Sequence, residues 1–146
     1  MEIEKKFLVK KLPEQLEQYT CFEIEQAYLN REPVIRIRKQ NDEYSFTYKG
    51  SGMMIREEYN LPLNKESYEH LREKTDGKII RKKRYIIPIE HGLKVELDIF
   101  EGDHQGIILA EVEFPDRETC DAFCPLDWFG EDVTERPEYH NSNMSK

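Results

Sequence analysis

The sequence predicts a mainly-β fold of the α+β type: eight antiparallel strands closed into a barrel, with a few helices on the outside. Three observations carry this. Turn residues cut the chain into eight segments of strand length, charged and apolar residues alternate within them, and charges of one sign are doubled on single faces.

The first strand is predicted over 2–9, where Glu2, Glu4 and Lys6 share one face and Ile3 takes the other. A short helix, Leu12–Tyr19, follows, with Pro13 in its first turn. Strands at 22–30, 33–40 and 43–49 are separated by Asn30-Arg31-Glu32-Pro33 and Gln40-Asn41-Asp42. In the second of these, Arg36 and Arg38 oppose Ile35 and Ile37; in the third, Lys49 sides with Ser45 and Thr47 against Tyr44, Phe46 and Tyr48. Gly50-Ser51-Gly52 turns into a strand at 55–62, where Arg56 and Glu58 share a face. It lacks the Gly-Lys-Ser/Thr that would make it a phosphate loop. Asn64 caps a helix to about Thr75, with Gly77 just beyond it. In the strand at 79–89, Lys82 and Arg84 oppose Tyr85 and Ile87. After the turn Glu90-His91-Gly92, the strand at 92–100 sets Glu96 and Asp98 against Val95, Leu97 and Ile99. The strand at 107–115 sets Glu111 and Glu113 against Ala110, Val112 and Phe114. Asp116 caps a last helix that Pro125 ends, and the tail from Asp132 is polar and irregular, with room for one helical turn. The short links make neighbouring strands antiparallel.

The 146 residues show no linker, repeat or low-complexity stretch, so a single domain over 1–146 is expected. Charged residues make up 36%, against about 25% in an average globular chain. No run approaches the roughly 18 apolar residues of a membrane span, and the net charge of -8 argues against broad nucleic-acid binding. Neither membrane nor nucleic acid is an expected partner. The opening Met1-Glu2-Ile3-Glu4-Lys5-Lys6 lacks the apolar core of a signal peptide, which gives a cytoplasmic expectation. Cys21, Cys120 and Cys124 are expected to be reduced and buried, the last two at i and i+4 of the final helix. No histidine spacing supports a zinc site, and Trp128 and Phe129 are expected to pack.

A solvated sheet face would explain alternation but not the doubling, because like charges side by side repel. Lys6, Arg36, Arg38, Lys49, Arg56, Lys82 and Arg84 are seven cations, balanced by the seven anions Glu2, Glu4, Glu58, Glu96, Asp98, Glu111 and Glu113. Such an inventory suits an enclosed polar cavity, and an eight-stranded barrel has room for one small ligand. Converging Arg and Lys favour a polyphosphate. Carboxylates in the same space call for Mg²⁺ or Mn²⁺ between them and the phosphates. The apolar positions then face outward and need cover from helices or a second subunit, which makes a homodimer an expectation.

The opening Glu2-Ile3-Glu4-Lys5-Lys6-Phe7-Leu8 fits an ExExK pattern, and later segments continue the match: Gln26-Ala27-Tyr28-Leu29, Arg36-Ile37-Arg38, Thr47-Tyr48-Lys49, Arg56-Glu57-Glu58-Tyr59, Lys82-Lys83-Arg84-Tyr85, Glu96-Leu97-Asp98 and Glu111-Val112-Glu113-Phe114. Trp128-Phe129-Gly130, Asp132-Val133-Thr134 and Tyr139-His140-Asn141 extend it into the tail. In combination the chain resembles the CYTH superfamily, also called triphosphate tunnel metalloenzymes, and its short bacterial members in particular. The resemblance implies a tunnel that binds a triphosphate with a divalent metal. It implies phosphate binding by Lys6, Arg36, Arg38, Lys49, Lys82 and Arg84, with Arg56 as an addition. It implies metal binding, direct or through water, by Glu2, Glu4 and Glu113, with Glu58, Asp98 and Glu111 as second candidates. The catalytic candidates are Lys82, as an aid to attack, and Lys6 paired with Tyr28 near a terminal phosphate. Asn60 stands where similar members carry Glu, which bears on one metal-binding role or on the number of metals held. The tail is a candidate plug for one mouth, although Pro137 argues against a long plugging helix. The expected reaction is metal-dependent hydrolysis of a triphosphate, inorganic tripolyphosphate first. The alternatives are thiamine triphosphate hydrolysis, cyclisation of ATP as in a class IV-type adenylate cyclase, and non-catalytic binding of polyphosphate or nucleotide.

Overall fold

A computed structural model describes residues 2–52 and 54–146. Its strands are β1 (Glu2–Val9), β2 (Thr20–Arg31), β3 (Val34–Gln40), β4 (Glu43–Lys49), β5 (Ile55–Arg56), β6 (Glu58–Leu63), β7 (Asp76–Pro88), β8 (Lys94–Glu101), β9 (Ile108–Glu113) and β10 (Phe129–Asp132). They form one antiparallel sheet in the order β10-β1-β9-β8-β7-β2-β3-β4-β6. Only Glu57 separates β5 from β6, so this pair takes the place of the single strand predicted at 55–62. Strand β5 returns to β1 through Glu2↔Arg56 and Ile3↔Ile55, which brings the ends of the sheet together into a nearly closed barrel.

The strand count exceeds eight because of this split and because β10 is added from the tail. β10 pairs with the far half of β1, at Phe7↔Asp132 and Val9↔Phe129. The edge of β1 is thus shared by β5 at one end and β10 at the other. Between them, Lys6 N donates to Thr134 Oγ1 at 3.0 Å and Val133 N donates to Lys6 O at 2.8 Å. The tail completes the seam that the sheet leaves open.

Helix α1 (Lys65–Arg72) starts at the predicted cap: Ser67 N donates to Asn64 Oδ1 at 2.7 Å. It ends before Thr75, and the chain enters β7 at Asp76. Gly77 is therefore a strand residue, not a helix terminator. Its φ of 77° and missing Cβ let Arg31 and the Ser145 carbonyl of the tail lie against it. Helix α2 (Arg117–Ala122) is capped by Asp116, whose Oδ1 accepts from Thr119 N at 2.7 Å. It stops short of Pro125, since a residue preceding proline disfavours the helical region. Cys124 consequently lies beyond the helix, and both Cys124 and Cys21 are exposed; only Cys120 is buried as expected. The predicted helix Leu12–Tyr19 shrinks to one 3₁₀ turn, Leu16–Gln18, because Gln15 turns left-handed at φ 57° with no side-chain cap. Helix α3 (Asn141–Met144) and a 3₁₀ turn at Pro137–Tyr139 supply the helical turns of the tail.

Outward apolar residues are covered in two places. Phe7, Val95, Leu97, Ala110, Val112 and Phe114 pack with Cys120 of α2, Phe123 and Phe129. Ala27 and Ile37 pack with Tyr68 and Leu71 of α1. A third cluster departs from the expectation that apolar rows face away from the channel. Tyr28, Val34, Ile80, Phe100 and Leu109 have the parity of the charged rows, and with Val133, Tyr139 and Met144 they close one end of the barrel. The tail does block one mouth, with short turns in place of a long helix. Phe7, 1% exposed and 4.8 Å from the Phe129 ring, ties β1, β10 and the α2 segment together. Phe7→Ala is expected to lower stability by about 3–5 kcal/mol in urea denaturation. Leu12→Ser, at an exposed position outside the sheet, should stay within about 0.5 kcal/mol; equal effects would contradict this account of the core.

Candidate active site

Alternation delivers the charged rows to one cavity of about 140 Å³, room for roughly five waters. It is lined by Glu2, Glu4 and Lys6 of β1, Tyr28 of β2, Arg36 and Arg38 of β3, Lys49 of β4, Arg56 of β5, Glu58 of β6, Lys82 and Arg84 of β7, Glu96 of β8, and Glu111 and Glu113 of β9. Every predicted site residue except Asp98 reaches it. Asp98 lies behind the wall, 0% exposed, under Lys82 and Arg84. Val34, Asn141 and Ser142 complete the lining.

Three groups of contacts organise the interior. On β7, β8 and β9, Arg84 clamps Asp98 with two hydrogen bonds, Nε to Oδ1 at 2.7 Å and Nη2 to Oδ2 at 2.9 Å. Its Nη1 reaches Glu96 at 3.3 Å, and Lys82 Nζ stands 2.7 Å from Asp98 Oδ2. Lys6 Nζ pairs with Glu111 Oε1 at 3.3 Å and donates to Tyr139 O at 2.9 Å. On the seam side, Lys49 Nζ lies 3.0 Å from Glu2 Oε1 and 3.5 Å from Glu58 Oε2. On β2 and β3, Arg38 donates from Nε and Nη2 to Gln26 Oε1 at 2.9 and 2.7 Å. Arg36 Nη2 donates to Thr47 Oγ1 at 3.2 Å, and Thr47 donates to Asn60 Oδ1 at 2.6 Å.

Two expectations change here. Tyr28 is not seen hydrogen-bonded to Lys6: its hydroxyl accepts from Gln26 Nε2 at 3.2 Å, while Lys6 turns to Glu111 and the tail. Asn60, in place of a carboxylate, holds one: its Nδ2 donates to Glu58 Oε1 at 2.7 Å. Gln26, Thr47 and Asn141 were missed as site residues. The first two share the parity of their charged strand neighbours and were readable from it; Asn141 lies in a tail without period.

Burial and neighbours set the protonation states. Burial would raise Asp98, but Arg84 and Lys82 outweigh it and hold the carboxyl below its usual range. Burial likewise opposes Glu111, which Lys6 and Arg84 hold well down. Lys82 is pulled to about 7 by burial first, with Arg84 and Arg38 adding and Asp98 resisting. Burial, then Arg36 and Arg84, lower Arg38 to about 9. Glu2 rises to about 8 through burial, a shared hydrogen bond with Glu58 and the charge of Glu4. Glu4 rises through burial and Glu111, and Glu113 through burial, Glu58 and Glu96.

Among the described residues no three His, Cys, Asp or Glu side chains stand gathered as an ion-binding group. The donor chemistry at the seam nevertheless fits a hard divalent cation. Glu2 Oε1 and Glu58 Oε2 are buried with the Lys49 ammonium at 3.0 and 3.5 Å, and burial first, then neighbouring carboxylates, push Glu2, Glu4 and Glu113 toward protonation. Asp98 does not fit, since both its oxygens are taken by Arg84 and Lys82.

The chain is thus a nearly closed antiparallel barrel with a polar interior rich in Arg, Lys and Glu. The CYTH domain family matches residues 1–142, and the chain belongs to that family. It is 35% identical over 147 residues to an inorganic triphosphatase of Nitrosomonas europaea, covering 99% of this chain and 96% of the relative. It is 34% identical over 151 residues to an inorganic triphosphatase of Acetivibrio thermocellus, covering 99% and 93%. A crystal structure of an inorganic triphosphatase superposes with a TM-score of 0.73 at 34% identity, covering 99% of this chain and 94% of that one. Triphosphatases of this family are generally metal-dependent.

An acid raised in the folded state from 4.5 to about 8 weakens folding above its ordinary value, by an amount that grows as pH rises toward 8 and then levels off. In metal-free protein, Glu2→Gln is therefore expected to raise the melting midpoint near pH 9, by on the order of 1 kcal/mol of stability, and to leave it unchanged near pH 4. Mn²⁺ should raise the wild-type midpoint more than that of the variant. A loss of stability at pH 9 would contradict the assignment.

Proposed function

We propose that this protein hydrolyses a triphosphate, with inorganic tripolyphosphate as substrate, to pyrophosphate and orthophosphate. The observation that carries the reading is the split of cations in the cavity. Arg36, Arg38 and Arg56 have only neutral hydrogen-bond partners or none, with the buried Nε of Arg36 and of Arg56 unpaired, whereas Lys6, Lys82 and Arg84 are each balanced by a carboxylate. Unpaired buried guanidinium groups want an anion. Of the lining residues only Val34 and Tyr28 offer apolar surface, so the cavity has no seat for a nucleobase or a thiamine ring, which favours the inorganic substrate over ATP cyclisation or thiamine triphosphate. The names of the two curated relatives support the same choice.

Arg36, Arg38, Arg56 and Arg84 bind and align the phosphates, with Lys6, Lys49 and Lys82 around them. Glu2, Glu4, Glu58 and Glu113 hold Mg²⁺ or Mn²⁺, which when bound polarises phosphate oxygens and offsets their charge. Asp98 and Glu111 serve as counter-ions that fix Lys82, Arg84 and Lys6. Lys82, which burial pulls down to about 7, is a neutral amine in a large share of molecules near neutral pH, and in that form its lone pair takes a proton as a water oxygen attacks the terminal phosphorus. The bond from that phosphorus to the bridging oxygen breaks, and its electron pair leaves with pyrophosphate, whose charge the guanidinium groups stabilise. Tyr28, at the closed end, bounds the site.

The chain works as one domain, because tail residues 133–145 are built into the barrel. A cytoplasmic setting suits free reduced cysteines, two of them exposed. A second copy of this chain covers the outer face of β4 and β6, where Tyr59 and Leu61 are 57% and 56% exposed beside Tyr48 and Phe46; sedimentation showing only monomer at micromolar concentration would remove that element.

Phosphate release from tripolyphosphate with Mg²⁺ or Mn²⁺, set against ATP and thiamine triphosphate, tests the reading. Lys82→Ala and Glu4→Gln should each lower turnover by roughly 10²–10³-fold in folded protein. No release from wild-type protein with either metal, or tight binding without turnover, would overturn hydrolysis.

A further inference from the structure

We infer that Asn141, carried into the barrel by the C-terminal segment, is a positioning residue for the reaction: its side-chain carbonyl fixes the Lys82 ammonium and couples it to Arg38 through Gln26. The inference rests on the hydrolytic reading of the cavity and adds a residue to it.

Lys82 Nζ has three N–H donors. One faces Asp98 Oδ2 at 2.7 Å, one is donated to Asn141 Oδ1 at 2.9 Å, and the Phe100 ring centroid lies 5.3 Å away on a further side. The side chain is 1% exposed, so no bulk water competes for these directions. The same Asn141 oxygen also accepts from Gln26 Nε2 at 2.9 Å, and Gln26 Oε1 receives both donors of Arg38. Two neutral carboxamides thus bridge a cation on β7 to one on β3 across the interior. Lys6 is held in the same manner, by Glu111 on the wall and by the carbonyl of Tyr139 from the tail.

Anchoring the tail does not require this bond. Arg31 Nε already donates to Ser142 O at 3.0 Å and to Ser145 Oγ at 3.1 Å, His104 Nε2 meets Met144 O at 2.6 Å, and Lys6 N donates to Thr134 Oγ1 at 3.0 Å. Asn141 is therefore placed by contacts other than its own, as a positioning group must be, and its oxygen is spent on the lysine. A neutral acceptor also orients the ammonium without adding a second negative charge beside the phosphate.

The experiment compares Asn141→Leu, near in size but without an acceptor, with Asn141→Asp, which keeps one. Asn141→Leu is expected to lower kcat about 10–100-fold with KM changed less than about threefold. Asn141→Asp should recover most of that kcat while raising KM several-fold, because its carboxylate faces the phosphates. Melting midpoints of both should stay close to wild type. Wild-type kcat in Asn141→Leu, or equal loss of kcat in both variants, would overturn the inference. Acylation by acetic anhydride, mapped by mass spectrometry, supplies a readout independent of turnover: Lys82 should become several-fold more reactive in Asn141→Leu while exposed Lys94 does not change. Unchanged Lys82 reactivity would refute the contact. A wild-type protein without triphosphatase activity would instead refute the hydrolytic reading, and the labelling comparison would still decide the contact.

Discussion

The interior depends on one buried arrangement, the Asp98 carboxylate held between the Arg84 fork and the Lys82 ammonium at 0% exposure. Removing one partner of such a pair costs roughly 3–5 kcal/mol, because the other charge is left stranded in a poor solvent. The pairing across β7 and β8 therefore fixes that wall of the barrel. It also fixes the direction in which the remaining donors point. Against it stands the β3 wall, where Arg36 and Arg38 meet only a threonine hydroxyl and a glutamine carbonyl. Carboxylates satisfy one side of the cavity, while the guanidinium groups of Arg36 and Arg38 on the other pair with no carboxylate among the described residues.

The same asymmetry explains the carboxylates at the seam. Glu2, Glu4 and Glu58 crowd where β1 meets β5 and β6, with Lys49 as the cation between Glu2 and Glu58. Burial and crowding raise Glu2 and Glu4, a cost in the metal-free chain, while the Glu2 hydrogen bond and Lys49 hold Glu58 low despite its burial; together they would give a divalent cation a set of hard oxygen donors. The seam itself is slight, two residue pairs from β5 and two from β10, so the tail that completes it belongs to the site as much as to the fold.

Much of this was legible in the sequence. Period-two alternation in short segments has few alternatives, and it put each of the charged candidates on the inner face, Asp98 included, though Asp98 serves there as a buried counter-ion. It could not show that Val34, Phe100 and Leu109, of the same parity, would form an apolar end, because parity tells which face a residue takes and not how far along the barrel it lies. Gln26 and Thr47 shared that parity but carry no charge, and doubling of charge was the signal in use. Asn141 lay in the Tyr139-His140-Asn141 match but carried no periodic signal of an inward position, since its place depends on Arg31, Gly77 and His104 far away in the chain. The helix predicted at 12–19 failed at Gln15, whose left-handed backbone is a tertiary outcome that propensity does not reveal.

The central claim is that the inward rows of Arg, Lys and Glu form one site for a metal-bound triphosphate. A crystal structure with tripolyphosphate and Mn²⁺, using anomalous scattering to locate the metal, tests it directly. The expected result is a phosphate chain inside the barrel between Arg36, Arg38 and Arg84, with manganese at Glu2, Glu4 and Glu58. Phosphate and metal bound only on the outer surface, with the interior ion pairs unchanged, would contradict it.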